Sequence, residues 1–351
     1  MPSVFAKHIL HWQANNPRPL PWDNGPRDPY HIWISEIIMQ QTRIEQGAPY
    51  YLKFVNRFPT VKSLAASPLD EVLRYWQGLG YYTRARNVHK AAVFINQQLD
   101  GVFPDAYEGL LALPGIGPYS AAAISSFAFG LPYPVVDGNV KRVISRYEGI
   151  ASSIDEPTTH SAIRETASKY MKGVSPGAFN QAIMNFGALV CKPVNPGCTT
   201  CPLSRKCYAL QNGMVTTLPV RSKKKSVVFR YFHFIVITWR GKVLLQRRDG
   251  KDIWQGLYTP PMMERTAARA PSIRQLESFV KSITGLDGIA HIQSSPAQQQ
   301  LLSHQTIVGR FHFIRLLSSP TALDDSYVWV SKKSIDDYAR PKMIVHTLMH
   351  I

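Results

Sequence analysis

Four cysteines give the strongest local indication of chemistry in this chain. Cys191, Cys198, Cys201 and Cys207 are separated by six, two and five residues, and the sequence has no other cysteine. Four thiolates within one short loop can surround a single compact metal centre, and this spacing predicts a [4Fe–4S] cluster. Zinc held by four cysteines is the alternative, although zinc sites usually come as two paired knuckles with a longer spacer. So dense a group is not a disulfide framework, which indicates a reducing, intracellular compartment.

The cysteine loop also carries positive charge, from Lys192, Arg205 and Lys206. A metal centre here would fold a basic loop that can contact DNA. A cluster with a purely structural role is the alternative, and it does not exclude that contact.

Two carboxylates stand in contexts suited to proton transfer and charge stabilisation. Glu36 is the only acid in a mainly apolar predicted helix at 33–42. Desolvation there would raise its pKa and keep a proton available for donation; a solvated or paired glutamate is the alternative. Asp137 stands at the start of a predicted helix within 135–142. It is either a functional anion or simply the N-cap of that helix. Gln40 shares the predicted helical face of Glu36 and is placed to probe base edges.

A glycine hairpin precedes Asp137 in the chain. Gly115 and Gly117 form a tight turn ahead of the alanine-rich predicted helix at 119–129. Such a hairpin directs free backbone N–H groups and a helix N-terminus at one point, where a phosphate can bind without sequence readout. A Gly-x-Gly turn alone is weak evidence for nucleic-acid binding, and it gains meaning from Asp137, which follows it in the chain.

The composition indicates a polyanionic partner. Lys and Arg number 40 against 23 Asp and Glu, which gives a formal charge of +17 and a pI near 9.8. Charge alone does not separate DNA from RNA or a membrane surface. The longest apolar stretch, at 232–239, is far below the roughly 18 residues of a membrane span. Residues 1–20 lack the apolar core and cleavage site of a secretory signal, so a cytoplasmic protein without a transmembrane segment is expected.

The chain of 351 residues is long enough for two or three domains. Apolar residues recur every three or four positions from 4 to 208, which predicts about ten short helices. Residues 217–225 read as a basic linker. Beyond it, strands are predicted at 229–238 and 243–246 and a helix at 272–283, which together indicate a smaller α+β domain.

The hairpin, the segment Val136–Val140, the segment Ser35–Thr42 and the cysteine loop together resemble the MutY family of adenine DNA glycosylases, within the endonuclease III superfamily. The resemblance spans nearly the whole chain. It implies a multidomain fold, with an all-α helix-hairpin-helix glycosylase core followed by an α+β MutT-like domain. The implied boundaries are a six-helix barrel module at 22–131, an iron–sulfur helical module made of 1–21 and 132–211, a linker at 212–226 and a MutT-like lesion-recognition domain at 227–351.

The resemblance also implies a reaction and its catalytic residues. Glu36 would protonate an imidazole-ring nitrogen of adenine, Asp137 would stabilise the positive sugar, and Asn139 belongs to the same set. Cleavage at an anomeric carbon favours one acid at the leaving group and one anion near the sugar. Tyr119 stands where the lyase branch of the superfamily carries its Schiff-base lysine. Without an amine no imine forms, so a monofunctional glycosylase is expected.

The implied substrate is adenine mispaired with 8-oxoguanine or guanine in duplex DNA, and a monomeric bacterial enzyme associated with the nucleoid is expected. Tyr81, in a wedge loop at 78–86, would insert into the base stack; a core tyrosine is the alternative. Ser303 and His304 align with the family's loop that reads 8-oxoguanine. The residues assigned to DNA binding are Gln40, Gln41, Leu79, Tyr81, Gly115 and Gly117.

The chain departs from the family pattern at two positions. Asp23 follows Pro-Trp where the family usually has arginine, at a contact in the adenine pocket. Leu302 stands where an aromatic residue is common, which alters packing beside the lesion without removing the polar readout.

Three other functions compete with this interpretation. An endonuclease III-type lyase acting on oxidised pyrimidines would share the hairpin and the cluster, but Tyr119, Glu36 and the extra domain argue against it. A nucleotide-diphosphate hydrolase needs a clustered acidic helix for magnesium, and 273–283 contains only Glu277. A non-catalytic DNA-binding protein would need neither Glu36 nor Asp137.

Overall fold

The computed structural model describes residues 1–22, 28–222, 226–286, 292–302, 304–320 and 323–349. Contacts divide the chain into two compact units: Met1–Ala66 with Asn87–Lys223, and Ser67–Arg86 with Lys224–Ile351. The α-helices of the described residues are α1 Val4–Asn15, α2 Pro29–Met39, α3 Ile44–Arg57, α4 Val61–Ala65, α5 Leu69–Trp76, α6 Tyr82–Gln98, α7 Tyr107–Leu111, α8 Pro118–Phe127, α9 Gly138–Glu148, α10 Pro157–Met171, α11 Pro176–Leu189, α12 Tyr208–Gln211, α13 Ile273–Thr284 and α14 Lys342–Leu348.

The first unit is helical, and the N-terminal helix packs with helices far along the chain. Helices α1, α9, α10 and α11 each contribute an apolar stripe to one core, in which Phe5, Val143, Ile163 and Phe179 are buried. Apolar residues spaced by three and four positions place these side chains on one helical face. This core supports α9, the helix that begins at Asp137.

Helix α2, which carries Glu36, packs against α8. It starts at Pro29 after the N-cap Asp28 and ends at Met39, so the predicted helix at 33–42 extends too far. Gln40 has φ −56° and ψ 118°, and Gln41 has a left-handed φ of 57°. This backbone ends the helix at its C-cap, Gln40, whose N–H still donates to the carbonyl of Glu36 at 3.2 Å and whose φ is still helical, so Gln40 follows Glu36 by one helical turn.

The glycine hairpin leads into α8 as predicted. Gly115 has φ +74°, and a Cβ atom there would lie 2.4 Å from the Cβ of Asn87. Both the left-handed backbone and the close approach therefore require glycine. Gly117 is the N-cap of α8, which begins at Pro118.

The second unit is built on a mixed sheet. Its strands among the described residues are β1 Val228–Trp239, β2 Lys242–Arg247, β3 Tyr258–Thr259, β4 Met262–Arg265, β5 Ile292–Ser294, β6 Gln298–Leu301, β7 Gln305–Arg315 and β8 Tyr327–Ser331. Five of them follow the order β3-β2-β1-β7-β5. β1 and β7 are parallel, and the other pairings are antiparallel. The two predicted strands and the predicted helix are confirmed by β1, β2 and α13.

The segment Ser67–Arg86 belongs to this second unit, although the sequence prediction includes it in a helical module. Arg74 forms an ion pair of 2.9 Å with Asp337, and the guanidinium of Arg86 donates to the carbonyl of Gln255 at 2.7 Å. These contacts attach α5 and the wedge loop to the sheet domain. Among the helices described here, none is long and apolar enough to cross a membrane.

Candidate active site

The four predicted catalytic residues lie at one cavity of about 320 Å³ in the first unit. Glu36 comes from α2, Tyr119 from α8, and Asp137 and Asn139 from the start of α9. The cavity is also lined by Arg18, Leu20, Trp22, Gln181, Met184 and Asn185. Three separate helices therefore bring an acid, a phenol, a second carboxylate and an amide to one place.

Glu36 is held as a proton donor by its surroundings. Burial raises the pKa of Glu36 to about 7, while the hydrogen bond from Tyr119 lowers that pKa and the negative charge of Asp137 raises it. The Tyr119 hydroxyl donates to Glu36 Oε2 at 2.9 Å. The carboxyl group is thus both desolvated and hydrogen-bonded. A pKa near neutrality gives a general acid that both holds and releases a proton at physiological pH.

Tyr119 stays a neutral donor in this site. Burial raises the pKa of its hydroxyl well above the usual value, and the neighbouring charges of Glu36 and Asp137 raise it further. A phenol that does not ionise can donate a hydrogen bond at every pH where the enzyme is folded.

Asp137 uses both of its carboxylate oxygens within α9. Oδ1 accepts from the backbone N–H of Val140 at 2.7 Å, and Oδ2 accepts from Nδ2 of Asn139 at 2.7 Å. Burial raises the pKa of Asp137, whereas these hydrogen bonds and the charge of Arg142 lower it. The positive end of the α9 dipole further favours an anion here. Asp137 is therefore the N-cap of α9 and also lines the cavity beside Glu36.

Arg142 is a residue that the sequence reasoning missed. Its side chain is buried, with 5% of its surface exposed. Nη2 donates to Oδ1 of Asn139 at 2.8 Å, and Nε donates to the carbonyl of Cys191 at 2.7 Å. Arg142 thereby connects the cysteine loop to the amide that holds Asp137. The sequence around Arg142 carries no signal of this role, because Lys141 precedes it and its partners lie elsewhere in the fold.

The four cysteines line one small cavity together with Arg146. Arg146 Nη1 lies 3.4 Å from Sγ of Cys191 and donates to the carbonyl of Lys192 at 2.8 Å. The pKa of Cys201 is raised to about 11, first by burial and then by the charges of the other three sulfurs. Four cysteine sulfurs this close together need bound metal cations to remain deprotonated as thiolates. Within the described chain, no three His, Cys, Asp or Glu side chains meet at the spacing of a single-ion site.

Three predicted DNA-binding residues of the first unit, Gln40, Gly115 and Gly117, lie at or beside the start of α8. Nε2 of Gln40 donates to Oγ of Ser120 at 3.1 Å, which fixes the end of α2 against the first turn of α8. Gly115 and Gly117 form the hairpin turn before that helix. The start of α8 carries the backbone N–H groups that a phosphate would use.

In the second unit, the wedge loop presents Tyr81 to solvent. Tyr81 has a left-handed φ of 49° and 46% of its surface exposed, whereas Leu79 is buried at 8%. The guanidinium of Arg84 lies 5.3 Å from the Tyr81 ring. The wedge loop and His304 line one cavity of about 420 Å³. Ser303 and Asp23 lie outside the described residues.

Family models match both parts of the chain. The model of the HhH-GPD superfamily of base excision DNA repair proteins matches residues 34–171, and a NUDIX domain model matches residues 233–350. The adenine DNA glycosylase of Buchnera aphidicola subsp. Schizaphis graminum is 37% identical over 348 residues, covering 97% of this chain and 96% of that protein. The adenine DNA glycosylase of Homo sapiens is 37% identical over 217 residues, covering 60% of this chain and 40% of that protein.

Solved structures resemble the helical part. A thermostable thymine-DNA glycosylase gives a TM-score of 0.55 at 31% identity, covering 60% of this chain and 96% of its own. An endonuclease III in a non-covalent complex with DNA gives a TM-score of 0.52 at 23% identity, with 60% and 95% covered. The second likeness concerns the fold alone.

Proposed function

The chain belongs to the family of adenine DNA glycosylases, which are DNA N-glycosylases of base excision repair, and we propose that it excises adenine mispaired with 8-oxoguanine or guanine in duplex DNA. The observation that carries the proposal is the meeting of Glu36, Tyr119 and Asp137 at one cavity. Such a cavity can act on a base only after that base leaves the stack, so base flipping is part of the proposal.

The proposed reaction begins with proton transfer to the leaving base. Glu36 donates its proton to an imidazole-ring nitrogen of adenine, and the electrons of the C1′–N9 bond leave with the base. The sugar becomes oxocarbenium-like, and the Asp137 carboxylate stabilises its positive charge. Water then adds to C1′ and releases a proton to the Glu36 carboxylate, which restores the acid.

Asn139 and Tyr119 act as positioning residues in this scheme. Asn139 holds Oδ2 of Asp137, and Tyr119 holds Oε2 of Glu36. Each hydrogen bond restricts a carboxylate to one orientation. Because electrostatic stabilisation depends on fixed groups, this preorganisation avoids rearrangement as the charge develops.

The absence of a lysine at position 119 supports monofunctional chemistry. An amine is required for an imine with the opened sugar, and Tyr119 offers only a hydroxyl. We expect Tyr119→Lys to allow borohydride trapping of a covalent DNA adduct, with Tyr119→Phe as the matched control that leaves no trapped species. Failure of Tyr119→Lys to form an adduct would contradict the alignment of this position with the lyase lysine.

The decisive experiment is strand scission on a panel of duplexes. Adenine opposite 8-oxoguanine, adenine opposite guanine, and thymine glycol opposite adenine would each be incubated with the protein, with and without alkali. We expect cleavage of the first two only after alkali. Alkali-independent cleavage at thymine glycol would instead support the endonuclease III-type lyase.

The four cysteines around one cavity support the proposal of a [4Fe–4S] cluster there. Cys191, Cys198, Cys201 and Cys207 would hold it, and its charge would neutralise their thiolates. When bound, the cluster fixes the fold of a basic loop that contains Lys192, Arg205 and Lys206. Protein purified without oxygen should be yellow-brown and contain about four irons per chain. Stoichiometric zinc without iron would favour a zinc site instead.

Reading of the base opposite adenine is proposed for Ser303 and His304. Guanine offers an acceptor at its imidazole-ring nitrogen, whereas 8-oxoguanine carries a hydrogen there and a carbonyl beside it. A serine hydroxyl can accept from that hydrogen, and one such bond contributes on the order of 1 kcal/mol. Ser303→Ala should therefore weaken preference for 8-oxoguanine about fivefold, and the double change with His304→Ala more. Equal losses opposite guanine would assign the loop to folding or backbone binding.

A further inference from the structure

A cavity of about 460 Å³ in the second unit contains none of the residues assigned above. It lies at the end of the sheet where β1 and β7 end, β2 begins and β8 ends. We call it the sheet-end cavity. Four cationic side chains from three segments of the chain line it: Arg240, Lys242, Arg315 and Lys332.

The positive charge of the sheet-end cavity is not balanced by a carboxylate among the described residues. The described residues that line it include no Asp or Glu. Over the described ranges, none of the four cations forms an ion pair with a carboxylate. Like charges gathered at one place are unfavourable without an anion between them. The charge pattern therefore suits a negatively charged ligand.

Strand register shows how widely the cations of the sheet-end cavity are spread at the backbone. Across the order β8-β2-β1-β7, Val330, Val243, Thr238 and Arg315 lie opposite one another in a single row. With a strand spacing of about 4.8 Å, the outer backbones of this row lie roughly 14 Å apart. Arg315 lies at one edge of the row and Lys332 follows Val330 at the other, and cations spread in this way suit several phosphates joined in a strand.

One cation of the cavity is held in place before any ligand binds. The guanidinium of Arg240 lies 4.9 Å from the centre of the Trp239 ring, and that indole packs against Trp329 at 6.0 Å. Stacking on an indole restricts the guanidinium, so less side-chain entropy is lost when it binds a phosphate. Arg240 is therefore prepared for two-point contact with phosphate oxygens.

We propose that the sheet-end cavity binds backbone phosphates of a nucleic acid strand, as a contact additional to the glycine hairpin. The inference rests on the proposed duplex substrate. Backbone contacts of this kind position a protein without reading sequence. Their hallmark is salt dependence, because each neutralised phosphate releases counterions.

The test compares matched pairs of exposed cations in the full-length protein. Arg315→Ala and Lys332→Ala remove charge from the cavity, whereas Arg274→Ala in α13 and Lys333→Ala remove charge elsewhere. Duplex affinity would be measured by fluorescence anisotropy at several salt concentrations. Each cavity variant should flatten the slope of log K against log salt by about 0.9, and the double variant by about 1.8. Over a fourfold rise in salt, wild type should then lose about 12-fold more affinity than the double variant.

The controls separate this proposal from others. Unchanged slopes in the cavity variants, or equal changes in Arg274→Ala and Lys333→Ala, would overturn the site while leaving the duplex substrate intact. Titration with a deoxynucleoside triphosphate identifies the phosphate source. If wild type binds the nucleotide, Arg315→Ala does not, and the duplex slope is unaffected, the ligand is a free nucleotide and the strand assignment is wrong. Failure of wild type to bind any duplex would overturn the proposed function as well.

Discussion

Replacement of Tyr119 by phenylalanine should shift the pH dependence of adenine excision. The change removes the hydroxyl that donates to Glu36 at 2.9 Å and leaves the ring in place. This hydrogen bond favours the ionised form of Glu36, and its loss raises the pKa of that carboxyl above its value of about 7. The proposed acid acts only when protonated, so activity is present below this pKa and falls as pH rises through it.

The size of the shift follows from the hydrogen bond. A bond to a charged acceptor contributes about 1 to 1.5 kcal/mol more than a bond to a neutral one. That difference corresponds to about one pKa unit. At pH 8.5, about 3% of Glu36 would be protonated with a pKa of 7 and about 24% with a pKa of 8. Relative to its own plateau, the Tyr119→Phe variant should therefore retain about eightfold more activity than wild type at this pH.

The assay is single-turnover excision of adenine opposite 8-oxoguanine, from pH 5 to pH 9. Single turnover reports the chemical step without product release. Tyr133→Phe is the matched control, because Tyr133 is a half-buried tyrosine whose ring stacks on Tyr107 at 4.3 Å. An alkaline limb that stays in place in Tyr119→Phe, or moves equally in Tyr133→Phe, would refute the role of this hydrogen bond.

Four further changes test the site. Glu36→Gln should abolish excision. In wild type, the unfolding free energy should fall by up to about 3 kcal/mol as pH rises from 4.5 to 7, because the raised pKa of Glu36 stabilises the folded state only while that group is protonated. Denaturant unfolding should show that this fall is absent in Glu36→Gln. Asp137→Asn should lower excision on the order of 10²–10³-fold with duplex binding and melting temperature kept, since asparagine also caps helices; near-normal excision would contradict the assignment. Arg142→Gln should lower unfolding free energy by roughly 2–4 kcal/mol because several carbonyls lose a donor, and an unchanged melting curve would oppose this. Cys198→Ser should lower iron content and thermal stability together, and full iron content would exclude Cys198 as a ligand.

The sequence predicted much of the fold because its signals are local. Helical periodicity, the glycine hairpin and the strands around 229–246 each depend on residues close together in the chain. The end of α2 had no such signal, since Gln40 and Gln41 carry no glycine or proline to mark a left-handed turn. The attachment of Ser67–Arg86 to the sheet domain also could not be read locally. An amphipathic helix predicts that one face is buried without indicating its partner.

In the candidate site, too, some residues could be predicted from the local sequence and others could not. Glu36 and Asp137 could be singled out because an acid among apolar residues and an acid before a helix are visible in the chain. Arg142 could not, because its acceptors on Asn139 and Cys191 meet only in the folded chain. A buried arginine looks like any other arginine until its partners are known. The sequence therefore identifies the groups that react, and it misses an orienting group such as Arg142, whose partners meet only in the folded chain.

Asp137 shows why the structural and the catalytic interpretations of a residue need not compete. As the N-cap of α9, its Oδ1 accepts from Val140 and its Oδ2 from Asn139. Those bonds and the positive end of the helix oppose the rise in pKa that burial causes. They favour the ionised form of this carboxylate beside Glu36, whose own pKa is raised to about 7, mainly by burial. The two carboxyl groups of this cavity therefore differ in their surroundings, because Asp137 lies at the positive N-terminal end of α9 whereas Glu36 lies in the last turn of α2. The cap is what makes this carboxylate suitable as the anion of the reaction.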